Sequence, residues 1–317
     1  MAGDANMTGE TLEAAKQKGD RKGRSIHLGE AIDAPRSQFT SANGWRVAYY
    51  ADTSVGGRPL MLVHSINAAP SSYEVKPLFE HYRAERPVYS LDLPGFGHSE
   101  RRPEGYTPQL FADVIAQFLE QVVGQRADVV ALSLSAEFAA CAIGSKPGSV
   151  ASLAIIAPTG FSQRLPPGPV LGRIVHTILK TPGLSQVIFN LVASKLSIRY
   201  FLGQSFVGEP TREILDYAYA TAHQPGARHA TLVFLSLLLF TPDAADRFYA
   251  KLTDLPVLAI ADRDPYVGFE RLDDFVARHP NWSRQRVAPN MGLPHWERLP
   301  ETVAALNGLW GKSGGSI

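Results

Sequence analysis

The chain has 317 residues, 45% of them hydrophobic and 19% charged. This is the composition of a globular protein long enough to bury a large core, not of a disordered or fibrous one. With 31 Lys and Arg against 30 Asp and Glu, the formal charge is +1, without the basic excess of a nucleic-acid binder or a feature suited to a polyanionic substrate.

Residues 1–35 are polar and rich in Gly, Lys and Asp. They are expected to form a flexible leader, with at most a short helix near 10–18. The N-terminus lacks the apolar core of a secretory signal. From residue 38 the pattern changes. Segments 38–40 and 45–50 flank Asn43-Gly44, a strong hairpin signal. Short apolar runs follow at 60–64, 87–91, 128–132 and 152–157, without clean alternation. Such runs suit strands buried on both faces of a parallel sheet. Helical spacing fills the intervals at 73–82, 109–123 and 135–145, so the order strand–helix–strand predicts an α/β fold with right-handed crossovers.

Residues 158–250 break this alternation. They read as several helices punctuated by Pro166-Pro167, Pro182-Gly183, Pro210 and Pro225-Gly226. Their longest apolar run, 232–240, is interrupted by Ser236 and falls far short of the ~20 residues of a spanning helix. Alternation resumes with a strand at 256–261, a helix near 269–278, a strand near 284–287 and a last helix from Pro300. The expected organisation is a core of 36–157 and 251–317, with 158–250 inserted as a helical cap. The single cysteine, Cys141, cannot form an internal disulfide, which fits a reducing compartment. A soluble, cytoplasmic protein without a membrane span is expected, its oligomeric state open.

The residues that carry chemistry start at the end of segment 128–132. Asp128-Val129-Val130-Ala131-Leu132-Ser133-Leu134-Ser135-Ala136 joins a buried strand to a helix through small residues. This resembles the nucleophile elbow of the α/β hydrolases, with Ala131 and Ser135 where the family usually has Gly. A sharp turn there holds the serine in strained geometry, and the following helix start offers unpaired N–H groups to an oxyanion. Leu60-Met61-Leu62-Val63-His64-Ser65 looks like the strand and His-Gly start of the family's oxyanion loop, with Ser65 replacing Gly. Asp92-Leu93-Pro94-Gly95-Phe96-Gly97-His98-Ser99 is similar to a structural loop of the same family. In segment 256–264, Asp264 stands at the position of the triad acid, with Ala261 where Gly is common. Asp262, two residues earlier, is expected to be a solvated or capping residue.

The resemblance implies an α/β-hydrolase fold: a mostly parallel sheet flanked by helices, with an inserted helical cap. It implies Ser133 as nucleophile, Asp264 as orienting acid, and backbone N–H groups of Leu134 and Ile66 as the oxyanion hole. The base is read from Met291-Gly292-Leu293-Pro294-His295-Trp296-Glu297. Counted back from Glu297, His295 matches the family's second, usually non-catalytic His. Counted forward from Gly292, Leu293 stands where the base belongs. His295 is the only imidazole in this segment and is expected to be the base. His64 is expected to be a structural loop residue. Glu137 is expected to be an acid favoured by the positive helix end, and Cys141 a packing residue.

His176, His223 and His229 have no metal-like grouping, and neither a metal nor a cofactor is expected. The aliphatic stretches 171–179, 187–196 and 232–240 point to an apolar small-molecule substrate. The expected function is a serine hydrolase that cleaves an apolar carboxylic ester, a lactone or a related carbonyl compound through an acyl-enzyme. The same residues suit a C–C bond hydrolase or a cofactor-free peroxidase. A non-catalytic binding protein on the same fold is the alternative from a different class.

Overall fold

A computed structural model describes residues 26–164, 168–181 and 183–313. The helix expected near 10–18 lies outside the described residues. Eight strands form one sheet: β1 (Arg36–Thr40), β2 (Arg46–Asp52), β3 (Leu60–Val63), β4 (Val88–Leu91), β5 (Ala127–Leu132), β6 (Val150–Ile156), β7 (Val257–Ile260) and β8 (Trp282–Gln285). Their order across the sheet is β1-β2-β4-β3-β5-β6-β7-β8. The pairs β1–β2 and β2–β4 are antiparallel, and every other pair is parallel. Gly44, at φ 74°, supplies the left-handed residue in the turn between β1 and β2.

The absence of alternation in the central strands follows from where they lie. Met61, Val63, Val129, Ala131, Leu153 and Ile155 enter the hydrophobic cluster on one face of the sheet. Leu60, Leu62, Val130, Leu132, Ala154 and Ile156 enter the cluster on the other. Both sets are buried, so both faces of these strands are apolar, apart from Asp128 and Ser152 near the strand starts, where the Ser152 hydroxyl donates to Asp128 Oδ1 at 2.7 Å. Helices cover the two faces: α1 (Lys76–Tyr82), α2 (Pro108–Phe118) and α3 (Ser135–Ser145) in the first half of the chain. Thr107 starts α2 by accepting the Leu110 N–H at 3.1 Å, with Pro108 in the first turn.

Six helices stand between β6 and β7 among the described residues: α4 (Pro169–Leu179), α5 (Leu184–Val192), α6 (Lys195–Gly203), α7 (Arg212–Ala222), α8 (Arg228–Leu235) and α9 (Ala244–Arg247). They have a small core of their own around Phe189, Ile198 and Ala222. The chain then returns to the sheet through β7, α10 (Leu272–Arg278), β8, α11 (Pro294–Glu297) and α12 (Leu299–Ser313).

The leader expected over 1–35 differs at its end. Leu28, Ala31 and Ile32 are buried, the last two at 1% exposure, and Ala31 and Ile32 join the core cluster of Tyr50 and Phe79. The Ala31 N–H donates to the Tyr50 hydroxyl oxygen at 2.9 Å, and that hydroxyl donates to Glu30 Oε2 at 3.0 Å. The Arg83 guanidinium donates to Asp33 O at 2.6 Å. Three apolar side chains and these bonds fix the segment to the sheet's antiparallel end, which its polar composition conceals.

The winding of the sheet positions the site. Strands β4 and β5 lie on opposite sides of β3. The chain therefore reverses its direction of progress there, and a crevice opens beyond the carboxyl ends of β3 and β5. Ser65 and Ile66 follow the first of these ends, and Ser133 and Leu134 follow the second.

Candidate active site

Ser133 sits between β5 and α3 at φ 49°, one of four non-glycine residues at positive φ among the described residues. A non-glycine residue held there costs about 1–3 kcal/mol, so its surroundings must over-determine it. They do: the Ser133 N–H donates to Ile156 O at 2.8 Å, and its carbonyl accepts the Ala136 N–H at 3.1 Å as α3 begins. Ala131 and Ser135 are fully buried beside it. Ser135 does more than fill the place of a glycine. Its hydroxyl donates to His64 O at 2.5 Å and ties the elbow to the loop after β3.

That loop is anchored three ways. His64 Nε2 accepts the Leu93 N–H at 2.9 Å, so the proton resides on Nδ1, which donates to Ser65 O at 2.6 Å. Both ring nitrogens are thus used in holding the loop. The Ser65 N–H donates to Glu74 Oε2 at 2.9 Å, and the Asn67 amide donates to Glu74 Oε1 at 2.6 Å. Glu74 is therefore a loop anchor that nothing in its local pattern announces. The N–H groups of Ile66 and Leu134, one on each side of the crevice, donate to no acceptor among the described residues. Both residues line the same cavity as Ser133.

The cavity has a volume of about 350 Å³. Its floor includes Ser133, Leu134, Ile66, Asp264, Gly292 and Leu293. Its walls are apolar side chains of the inserted helices, among them Val192, Ile198, Phe201, Ile214 and Phe234. Asp264 follows β7 and faces this space. Its Oδ1 accepts the N–H groups of Tyr266 at 2.7 Å and Val267 at 2.9 Å. Burial nonetheless pushes its carboxyl up to about 6, and the two N–H bonds only partly offset that rise. Asp262 accepts the Asn290 N–H at 3.3 Å and lies near Arg263, so it serves the loop after β8 rather than the cavity.

The structure does not bring His295 to Ser133 or to Asp264. The residue lies in α11, is fully buried, and its Nε2 is 2.7 Å from Glu74 O. A carbonyl can only accept, so Nε2 carries the proton. Nδ1 is buried without a hydrogen-bond partner. Burial lowers the imidazole to about 4, so the ring stays neutral around neutral pH. The Trp296 indole donates to the same Glu74 carbonyl at 2.7 Å. The expected base is therefore a packing residue in this arrangement, and no histidine lines the cavity among the described residues.

Gly292, with Leu293, takes that place in the cavity lining. A Cβ at Gly292 would stand 2.5 Å from Asp264 Oδ2, and Gly292 has φ 119°, where any side chain is strained. The glycine lets the loop close against the acid. The sequence offers this residue as a permissive turn position, and only the fold shows which group it faces.

Glu137 is the second surprise. It is 1% exposed, accepts the Thr241 N–H at 2.9 Å and is hydrogen-bonded by the Thr159 hydroxyl. Burial raises it to about 7. A helix-end acid is expected there, but this one is a buried tie between α3, the loop after β6 and the segment after α8. Cys141 is half-buried and lies against the main core cluster.

Comparison with known proteins agrees with this architecture. A family model described as the alpha/beta hydrolase family matches residues 60–306. The chain is 30% identical over 142 residues to a dihydrolipoyllysine-residue acetyltransferase component of the acetoin cleaving system from Cupriavidus necator. That match covers 44% of the chain and 37% of the relative, so the chain spans well under half the length of that protein. Among solved structures, a bacterial membrane phospholipase A superposes with TM-score 0.70 at 18% identity, covering 97% of this chain and 93% of the other. A thermophilic esterase from Thermogutta terrifontis superposes with TM-score 0.67 at 17% identity, covering 88% and 99%. At such identities the superpositions speak for the fold. With its eight-stranded sheet, its strained serine after β5 and a family match over most of its length, the chain belongs to the alpha/beta hydrolase family.

Proposed function

We propose that the protein hydrolyses an apolar carboxylic ester, lactone or related carbonyl compound, with Ser133 as the nucleophile. The observation that carries this is the elbow itself: a strained serine opening onto an apolar cavity beside two unpaired N–H groups. The substrate carbonyl oxygen takes the Leu134 and Ile66 N–H groups, which stabilise the charge that develops on it. The inserted helices act as the cap that receives the apolar part of the substrate.

The proton is assigned to Asp264. His295 is committed to Glu74 O and neutral, so it neither accepts from Ser133 nor is steered by Asp264. Asp264 faces the same cavity, and a carboxyl at about 6 is ionised at pH 7 yet basic enough to accept a proton. In this scheme Ser133 attacks the carbonyl carbon and its proton passes through a water to Asp264. The tetrahedral intermediate expels the alcohol, which takes that proton, and water activated by Asp264 then releases the acid. Without an imidazole the turnover is that of a weakened triad, well above water but far below an intact one.

A second reading is favoured by one observation, the glycine facing Asp264. On it the protein binds the same class of ligand without turning it over. A series of p-nitrophenyl esters, run beside a fluorophosphonate probe mapped by mass spectrometry, separates the two. Hydrolysis should occur and lengthen in preference with the acyl chain, and the adduct should map to Ser133. Ser133→Ala should lower turnover at least about 10²-fold. Ester binding with neither turnover nor adduct would establish the binding protein instead.

A further inference from the structure

The inserted helices bury one side of themselves and leave another apolar. Val170, Ile174 and Ile178 repeat every fourth residue along α4, and each is more than half exposed. Val187 and Leu191 on α5 are 66% and 71% exposed, and Leu196 on α6 is 83% exposed. Helix α4 packs on α5 and α5 on α6, so these exposed side chains sit on successive neighbouring helices. Soluble monomers rarely leave a contiguous apolar patch of more than a few hundred Å², and a larger one marks a docking surface.

Charge identifies what docks. Residues 161–208 contain no Asp or Glu, although these make up 30 of the chain's 317 residues. The same stretch contains Arg164, Arg173, Lys180, Lys195 and Arg199, all exposed. Arg199 has Glu209 at 3.8 Å, and Lys195 lies over the Tyr219 ring at 4.9 Å. Arg173 and Lys180 have no acidic partner within ion-pair reach among the described residues. A second copy of the chain on this face would set these cations against one another. An anionic lipid surface answers both features, since aliphatic side chains enter the headgroup boundary while Lys and Arg meet the phosphates. No helix among the described residues is long and apolar enough to cross a membrane, so the contact is made from one side.

We propose that the outer face of α4, α5 and α6 docks on an anionic lipid surface. The cavity opens toward the same helices: Val192 and Leu202 line it, and Phe201, which also lines it, is 51% exposed. Tyr266 shares that rim, its hydroxyl donating to Phe201 O at 2.9 Å. Docking therefore sets the mouth of the cavity against the lipid. Delivery of an apolar carbonyl ligand through that mouth rests on the hydrolase proposed above, whereas docking itself does not.

The test is sedimentation of the full chain with vesicles of phosphatidylcholine alone or mixed with phosphatidylglycerol. Binding should be at least about tenfold tighter to the anionic vesicles and weaken with salt. Val187→Asp with Leu191→Asp should lose at least about tenfold, and so should Arg173→Glu with Lys180→Glu. Both pairs are on the surface, and unchanged melting temperatures show that they fold. Rates on a soluble short-chain ester should be unaffected by either pair. If that ester is never cleaved but anionic vesicles are bound, the hydrolase fails and the docking face stands. Equal binding to both vesicle types, or no loss in either variant, overturns the proposal. So does a dimer in lipid-free solution that the Val187→Asp, Leu191→Asp pair dissolves.

Discussion

At the residue scale, the identity of the base turns on two buried polar groups that respond oppositely to burial. Burial lifts Asp264 to about 6, and burial lowers His295 to about 4. Only Asp264 faces the cavity. If it accepts the Ser133 proton, kcat/KM for a soluble ester should rise through pH about 6 and level off above it. Asp264→Asn should remove that inflection and lower the rate. His295→Ala should keep the inflection near 6 while costing about 2–4 kcal/mol of stability, because it empties a buried site beside Glu74 O. A pH–rate profile for each variant, beside a denaturant titration, checks both halves. An inflection lost in His295→Ala but kept in Asp264→Asn would return the base to the histidine. The sharp turn at Ser133 was legible because a strand–turn–helix elbow is a local device: strand, small residues and helix lie within nine positions. The direction of His295 was not, because it is set by the Glu74 carbonyl, 221 residues away in the chain. Gly292 reads as a turn residue until β7 and β8 place it against Asp264.

At the element scale, β3, β5 and β6 and the helices after them were legible because burial on both faces demands unbroken apolar runs. The segment before β1 was not. Its buried side chains are only three, Leu28 and the adjacent Ala31 and Ile32, too few to read as an element, and its attachment comes from partners far along the chain. His98 and Tyr217 both approach Gly29 O, at 2.9 and 3.1 Å, and Gln224 donates to Ile26 O at 2.8 Å. The last two lie in and just after α7, so the segment fastens the inserted helices to the sheet as well as covering Tyr50. Deletion of residues 1–35 should therefore lower the melting temperature clearly, since it removes the buried Ala31 and Ile32, uncovers the cluster of Tyr50 and Phe79, and strips a donor from the Tyr50 hydroxyl. Deletion of residues 1–25 should keep these contacts. Thermal melts of the two truncated proteins beside the full chain check this, and equal melting temperatures for the two would show that the docked segment adds nothing.

At the scale of the whole molecule, the core and the inserted helices meet at a buried acid. Glu137 stands in the first turn of α3, 104 residues before Thr241, yet it bonds the Thr241 N–H and the Thr159 hydroxyl at once. Its carboxyl is raised from 4.5 to about 7 by burial. A raised acid binds its proton more tightly in the folded chain than in the unfolded one. Stability from this group is thus fully present below pH 4.5 and is lost as pH rises through about 7. Asp264 acts with the same sign between 3.8 and about 6, and His295 with the opposite sign, its contribution present above 6.5 and lost as pH falls through about 4. Glu137 is therefore the member of this set whose titration in the folded state reaches highest in pH. Glu137→Gln cannot ionise. Its amide oxygen can keep the Thr241 N–H while its NH2 turns to the Thr159 hydroxyl, as in the protonated acid, so any stability it loses is the same at every pH. Against that constant offset, wild type should lose stability relative to the variant between pH 5 and pH 8, by an amount on the order of 3 kcal/mol for the full shift. Urea unfolding of both proteins at the two pH values measures the difference. A gap between wild type and variant that stays constant from pH 5 to pH 8 would show that Glu137 is already ionised in the folded core, and that Thr159 and Thr241 hold it as a carboxylate.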